Sequence, residues 1–503
     1  MFRMTTLLTA PAFVMLMGGT AHAALTADQV WQSWKDAAAL AGLTVSAATE
    51  VKDGSALKLN GVAIAPAGVA SGVTISDMSL TEEADGSVTI RPGADIAVNM
   101  AGEGSGGSVK VTHDGLEMKA REGEGGALIY DYSAAALNLL LDVTYPGSPS
   151  PDGSAPQPGA AKGTFGFTDL SGSYSDTPGT NRAFGFDLKA AKLGYDFGTE
   201  DPGLEMKTTS VSNTSDVEIS LDVALPSTMS LFAMASPADF STALEEGLSI
   251  SMATKQGESI GSASQEQQFF SYNMDIKGGA GQATGVFNKD EFRLDSGGAG
   301  LEFNMVSPSL PVPINVTSGP FATAMIVPMS AGDAASDYGL VFKLSQFTLN
   351  EEAWALFDPQ GALTRGPADL SIDVSGKSKL DVLGMMAAEG TGAPPPIPQP
   401  ETLNINDLTL KIAGAALTGT GAFTFDNSAG VPMPLGEANV SLTGGNALID
   451  GLIATGMVTE EDAMGARMMM GAFMSPGAEP DSLTSKIEAK AGGEIYVNGQ
   501  RVQ

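Results

Sequence analysis

The chain has 503 residues, with 58 acidic against 26 basic side chains and a net charge of −32. A surface that acidic repels nucleic-acid phosphates and anionic lipid head groups. Apolar residues make up 43% and charged ones 17%, which excludes disorder throughout, and the absence of cysteine excludes disulfides, thiolate metal sites and thiol or redox catalysis.

The first residues, MFRMTTLLTAPAFVMLMGGTAHA, carry Arg3, an apolar stretch from Leu7 to Met17, and Ala21-His22-Ala23 as a small-x-small cleavage site. This pattern predicts a signal peptide over residues 1–23, cut after Ala23, and a periplasmic mature protein. The apolar stretch is too short for a membrane anchor, and no later run approaches the roughly 20 apolar residues of a transmembrane helix. Arg3 is the only charge in that segment, so the mature net charge is 25 − 58 = −33. His22 leaves with the leader. The remaining histidine, His113, stands beside Asp114-Gly115 and reads as a solvated loop residue.

Thr26 and Gln29 form a capping box for a helix reaching about Ala41, closed by Gly42. Trp31, Trp34 and Ala38 share one face of it and read as packing anchors. From Leu43 the pattern changes to alternation. Val88 and Ile90 precede Pro92-Gly93, then Ile96, Val98 and Met100 follow. Val109 and Val111 lead to Asp114-Gly115, with Leu116, Met118 and Ala120 read as the return. Phe184, Phe186 and Leu188 form one run, Leu193, Tyr195 and Phe197 another, and Val217 to Val223 a third. Short strands with Asx-Gly turns predict a large antiparallel sheet, apolar on one face. No strict repeat period is present, which counts against propellers and nonapeptide rolls.

Residues 146–161 and 390–400 are rich in Pro, Gly and Ser and read as long loops. Ser236-Pro237 starts a short helix that Gly247 closes. Near the end, Leu448, Ile449, Leu452 and Ile453 mark one helix. Thr459 and the acids after it start a second, through Met464, Met468, Met469 and Met470 to Phe473. The second is apolar almost all round. Core packing is the plainer reading, and a lid over an apolar ligand is the other, since Met fits irregular surfaces. Lys486 to Val502 closes as a hairpin at Ala491-Gly492-Gly493.

The stretch FTLNEEAWALFDPQGALTRGPADLSIDVSGKSKLDV, residues 347–382, concentrates these signals. Asn350 caps a helix over 351–357 that opens on Glu351 and Glu352, places Trp354 and Phe357 on one face, and stops at Asp358-Pro359. Leu370, Ile372 and Val374 then alternate to a turn at Gly376-Lys377, with Leu380 and Val382 returning. Trp354, Phe357, Asp358 and Pro359 read as structural anchors. The segment WALFDPQGALTRGP, with the end LTSKIEAKAGGEIYVNGQRVQ, resembles the bacterial family of domain of unknown function 2125 over most of the mature chain. The closing GGEIYVNGQ is more weakly similar to AsmA-like and YdgA-like envelope proteins. The first resemblance implies an exported protein without an assigned activity, and the second an elongated β-rich fold. Neither supplies a catalytic motif.

No HExxH or P-loop is present. The pairs Glu82-Glu83, Glu351-Glu352 and Glu460-Glu461 each stand at a turn or in a first helical turn, where local electrostatics places acids. The glycine-rich runs lack the strand-then-helix setting of a phosphate cradle and the GGxGxD spacing of calcium rolls. These observations predict a mainly β protein: large curved antiparallel sheet or sheets with a few docking helices (N-terminal, 351–357, and a pair over 446–474). The expected divisions are the leader 1–23, a β-rich region 24–320 and a β-rich region 321–503. The expected function is a non-enzymatic envelope protein that binds or shields apolar molecules or lipid, with no cofactor, metal or nucleic acid. Met464, Met468, Met469 and Phe473 are the candidate contacts. An outer-membrane barrel and a carboxylate hydrolase of envelope glycans are the alternatives.

Overall fold

The computed structural model describes residues 24–40, 42–66, 72–102, 105–150, 153–226, 237–267, 270–391 and 394–503; the leader and Ser236 lie outside them. Among the described residues strands predominate, in large antiparallel sheet with six short helices, so the fold is mainly β. Two compact units divide it. The first comprises Met1–Asp239, Glu245–Asp275 and Ser307–Ser309, and the second Phe240–Leu244, Ile276–Val306 and Leu310–Gln503.

Unit 1 opens on α1 (Ala27–Leu40), and its capping box is formed: Thr26 N donates to Gln29 Oε1 at 2.9 Å and Gln29 N to Thr26 Oγ1 at 3.2 Å. The strands follow as β1 (Leu43–Asp53), β2 (Ala56–Pro66), β3 (Gly72–Glu82), β4 (Val88–Pro92), β5 (Ile96–Gly102), β6 (Ser105–Asp114) and β7 (Glu117–Glu122). Longer ones come next: β8 (Leu128–Tyr145), β9 (Gly159–Thr177), β10 (Asn181–Asp201) and β11 (Met206–Pro226), then β12 (Ser249–Gln256) and β13 (Ser259–Glu266). Trp31 and Trp34 are buried beneath α1 with Leu57, Leu59, Leu80, Ile90 and Tyr130. The Trp31 indole donates to Glu50 at 2.9 Å, and Lys35 reaches the same carboxylate at 2.8 Å.

Several expected turns are instead pivots along longer paths. β6 and β7 do not reverse on each other. Both lie along β8, with Gly106–Asp114 opposite Thr144–Ala136 and Glu117–Glu122 opposite Ser133–Leu128. Asp114-Gly115 is therefore a bend. Pro92-Gly93 likewise separates β4 and β5, which both run along β3. The runs ending at Leu188 and starting at Leu193 belong to the single strand β10. His113 braces this line. Leu116 N donates to its Nδ1 at 3.3 Å, so Nε2 carries the proton and donates to Gly93 O at 3.0 Å. The ring is half-buried rather than solvated, because two neighbouring bends each leave a backbone group for it.

These pivots form one line across the sheet. Gly61, Gly115, Asp169 and Asp216 have φ of 61°, 67°, 50° and 49° on non-neighbouring paths, and small residues stand opposite them, such as Ala48 and Ala191. The alternation skips one residue there. Leu59 and Val62 on β2, Ile75 and Met78 on β3, and Leu170 and Phe167 on β9 thus pack on one side of the sheet on both sides of the line.

After α2 (Pro237–Glu245) and β14 (Tyr272–Gly278), unit 2 is built from β15 (Gly281–Phe287), β16 (Glu291–Gly298), β17 (Leu301–Val306), β18 (Ile314–Ser318), β19 (Phe321–Pro328) and β20 (Ser336–Leu349). α3 (Glu351–Trp354), β21 (Ala368–Lys379), α4 (Val382–Thr391), β22 (Gln399–Ile412), β23 (Ala415–Asp426) and β24 (Met433–Thr443) follow. The end comprises α5 (Gly445–Ala454), α6 (Glu460–Phe473), β25 (Ser475–Pro476), β26 (Ser482–Lys490), β27 (Glu494–Val497) and β28 (Gln500–Arg501). The helical pair and the turn at Ala491-Gly492-Gly493 stand where the sequence puts them.

The helix expected over 351–357 ends at Trp354. Asn350 spends its side chain on the neighbouring strand, accepting from Asn315 N at 2.9 Å, rather than capping. The helix stops because buried Asp358 gathers the amides that follow, Ala362 N at 2.8 Å and Leu363 N at 3.0 Å. Burial pushes this carboxyl up, but the Leu363 and Ala362 amides and Arg365 outweigh it and hold it below the usual aspartate range. Trp354 and Phe357 still meet, with ring centroids 4.9 Å apart, though both are only half-buried; Pro359 is exposed.

Nor does the chain turn at Gly376-Lys377. β21 runs through it to Lys379, and Val382 begins α4. Gly376 is there for a close approach: a Cβ would stand 2.1 Å from Thr402 O and 2.7 Å from the Tyr338 hydroxyl, which donates to that carbonyl at 3.0 Å.

Candidate apolar-ligand surface

The register of unit 2 brings apolar side chains into rows that cross many strands. Phe321, Leu344, Leu370, Leu410, Leu417, Leu442 and Leu483 stand opposite one another on seven successive strands, β19 to β24 and then β26. At a strand spacing near 4.8 Å, such a row extends roughly 29 Å. Two residues along, Phe342, Ile372 and Leu408 form a second row; two further, Met325, Leu340, Val374, Ile405 and Ile487 belong to a third. None of the seven residues in the first row is buried. Leu340 is 43% exposed, Phe321 40% and Phe342 38%.

One residue out of phase, the same strands carry polar groups. Lys343, Ser371, Thr409, Thr418, Ser441 and Thr484 stand opposite one another in turn. Ion pairs link this face: Lys343 to Asp373 at 3.3 Å, Lys411 to Asp369 at 3.4 Å, and Lys486 to Glu437 at 2.8 Å. The Gln346 amide is the largest influence holding the Asp369 carboxyl low, and Lys486 does the same for Glu437. One face is thus wetted and charged, while the other offers apolar side chains and no ionic partner. That is a surface that can hold hydrocarbon.

The methionine helix is not core. Thr459 caps α6 by accepting from Asp462 N at 3.1 Å, and Ala463 is its one buried residue. Arg467 ties α6 to α5 through Asp450 at 2.5 Å. This leaves Met464, Met468, Met469 and Phe473 outward, with Met468 70% exposed. Long apolar side chains face solvent because contact with α5 is made by the short Ala463 and the charged Arg467.

Three acids of the pairs have local partners. Glu82 accepts from Ala27 N at 3.1 Å, Arg365 pairs with Glu351, and Asn350 donates to Glu352 at 3.0 Å. Among the described residues no group of three or more His, Cys, Asp or Glu could hold a metal ion. No helix there is long and apolar enough to cross a membrane.

The family described as "uncharacterized protein conserved in bacteria (DUF2125)" matches residues 201–493. The chain belongs to that family. The match takes in the whole apolar row from Phe321 to Leu483, so the candidate surface lies within the family region. It does not extend to the AsmA-like resemblance of the chain end. Among curated proteins, none matches.

The rows escaped the sequence reading because they exist only once register is fixed. Alternation tells which residues share a face of one strand, but not that Phe321 and Leu483 stand in one line. The sequence signal that could have found it is the recurrence of Leu or Phe seven times over, all but Leu344 within three residues of a strand end.

Proposed function

We propose that this is an exported, non-enzymatic protein of the cell envelope that shelters acyl chains or similar apolar molecules on the bare sheet face of unit 2. The observation that carries this reading is the seven-strand row from Phe321 to Leu483, none of it buried and all of it backed by a polar face. An apolar row of this length that stays half-buried to exposed on a protein this acidic is not a solubility solution, and such patches mark interaction sites. Each methylene removed from water contributes about 0.8 kcal/mol, so partial cover of an acyl chain suffices for measurable binding. The charge of −32 favours neutral or zwitterionic amphiphiles over anionic ones. The outward methionines of α6, Met464, Met468 and Met469, with Phe473, serve as adaptable contacts for the same ligand. The complete leader pattern at residues 1–23 supports a periplasmic address.

The test is native mass spectrometry of protein purified from its own envelope, followed by titration with a fluorescent zwitterionic phospholipid. Lipid adducts and saturable binding are expected. Protein that carries no lipid and gives no saturable signal would sink the reading.

A further inference from the structure

All the sulfur in this chain is methionine thioether: it has 24 methionines and no cysteine. Oxidants that would react first with a thiol therefore meet only thioethers, and exposure ranks their targets. Met464, Met468 and Met469 on α6 are each at least 60% exposed, whereas Met78 and Met329 are buried. The helix that carries them stands at the margin of the apolar rows of unit 2. Through Gly419 and Val440 the second row reaches Ser485, on the same side of β26 as Leu483. The Ser485 hydroxyl donates to Phe473 O at 2.7 Å, so the last turn of α6 is fixed to the apolar side of the sheet. None of the three thioethers supports the helix. Its buried residue is Ala463, and Arg467 ties it to Asp450.

We propose that Met464, Met468 and Met469 are a reversible oxidation site that regulates the apolar surface: their conversion to sulfoxides makes its α6 margin polar and releases the bound amphiphile. The inference rests on the function proposed above. The oxidant is hydrogen peroxide or hypochlorous acid. Its oxygen bonds to the thioether sulfur, which gives up two electrons. The O–O or O–Cl bond breaks, and water, or chloride with a proton, leaves. Reversal takes a dithiol, which is oxidised to a disulfide while the sulfoxide oxygen leaves as water. A sulfoxide oxygen is a strong acceptor that hydrocarbon cannot satisfy, so contact with an acyl chain is lost where the thioether had favoured it. Because Ala463 and Arg467 hold α6, the helix stays in place while its outward surface changes.

The experiment treats the full-length protein, and its triple variant Met464→Leu, Met468→Leu, Met469→Leu, with limiting hypochlorous acid. Peptide mass spectrometry should find sulfoxide on the three α6 methionines before Met78 or Met329. Titration with a fluorescent zwitterionic phospholipid should show binding to the oxidised parent weakened at least about tenfold, the scale of losing one methionine contact. Methionine sulfoxide reductases, one for each sulfoxide epimer, should restore it with dithiothreitol as the dithiol. The leucine variant keeps the apolar contacts and should bind like the untreated parent before and after treatment. Oxidation that reaches Met78 or Met329 first, or an equal loss of binding in the leucine variant, would overturn the proposal. A parent that binds the probe equally well before and after oxidation sinks this regulation alone. A parent that never binds it sinks the proposed function and the regulation together.

Discussion

Both units present alternating strands with one apolar face, and they finish that face differently. In unit 1, α1 lays Trp31 and Trp34 over β2, β3, β4 and the start of β8, and Leu59, Leu80, Ile90 and Tyr130 are buried beneath it. In unit 2 the equivalent rows carry Leu344, Leu370 and Leu410 without reaching burial. A sheet's apolar side must be covered by something. The helix that completes the first face is written into the chain, and the cover of the second is the proposed ligand. The tryptophans record the contrast: Trp31 is 3% exposed in its helix, while Trp354 is half-buried in a helix of one turn.

That contrast can be broken or sharpened by perturbing each face. The largest effect is expected for Trp31→Ala, which removes the roof of unit 1 and should cost about 3–5 kcal/mol. Hydrogen exchange read by mass spectrometry should show faster exchange in β1 to β4, with β20 to β24 unchanged. Loss of protection in both units alike would mean that the two faces are not separately stabilised.

Alkali is the next lever, because burial raises the tyrosines of unit 1. Tyr130 is pushed up to about 12, and burial likewise raises Tyr132 and Tyr174. A phenol whose folded pKa is raised contributes stability that is whole below 10 and is lost as pH climbs through the folded value. Protection of β8 and β9 should therefore fall between pH 10 and about 12. In unit 2, Tyr338 is raised by the same cause but is less buried, so its strands should respond less. Equal losses would contradict the deeper burial of the tyrosines of unit 1.

Trp354→Ala comes third, at roughly 1–3 kcal/mol, since half the indole already meets water. A loss as large as that of Trp31→Ala, measured by urea midpoint, would show that α3 is a core element after all. The smallest expected effects lie on the pivot line of unit 1. Gly61→Ala should destabilise by about 1–2 kcal/mol because its φ is left-handed, and its Cβ would meet that of Ala48 at 3.0 Å. Asp216→Gly should be neutral or stabilising by up to about 1 kcal/mol. The opposite ranking would mean that the line is not set by backbone conformation.

How much of this was legible follows from the range of each signal. Capping at Thr26 and Thr459 involves residues three apart, and sequence shows such pairs directly. The strand runs were visible too, but the pivots were read as turns. A left-handed residue inside a strand and one in a hairpin use the same residue types, so Asp114-Gly115 looks like either. The phase skip itself is present, as Leu188 followed by Leu193, and in sequence it has the form of a strand end. Burial of Asp358 and exposure of Met468 depend on what lies across from them, which no local pattern encodes.

The central claim is that the bare face of unit 2 is a binding surface, and two adjacent residues on one strand can test it. Leu417 belongs to the apolar row, and the exposed Thr418 points to the polar side. Titrations with a fluorescent zwitterionic phospholipid should be run on the parent, on the double variant Phe342→Lys with Leu417→Lys, and on Thr418→Lys. Circular dichroism should confirm intact sheet in each. The double variant is expected to bind at least about tenfold more weakly, a loss of roughly 1.4 kcal/mol, while Thr418→Lys binds like the parent. Equal affinity in all three, or an equal loss in both variants, would contradict the claim.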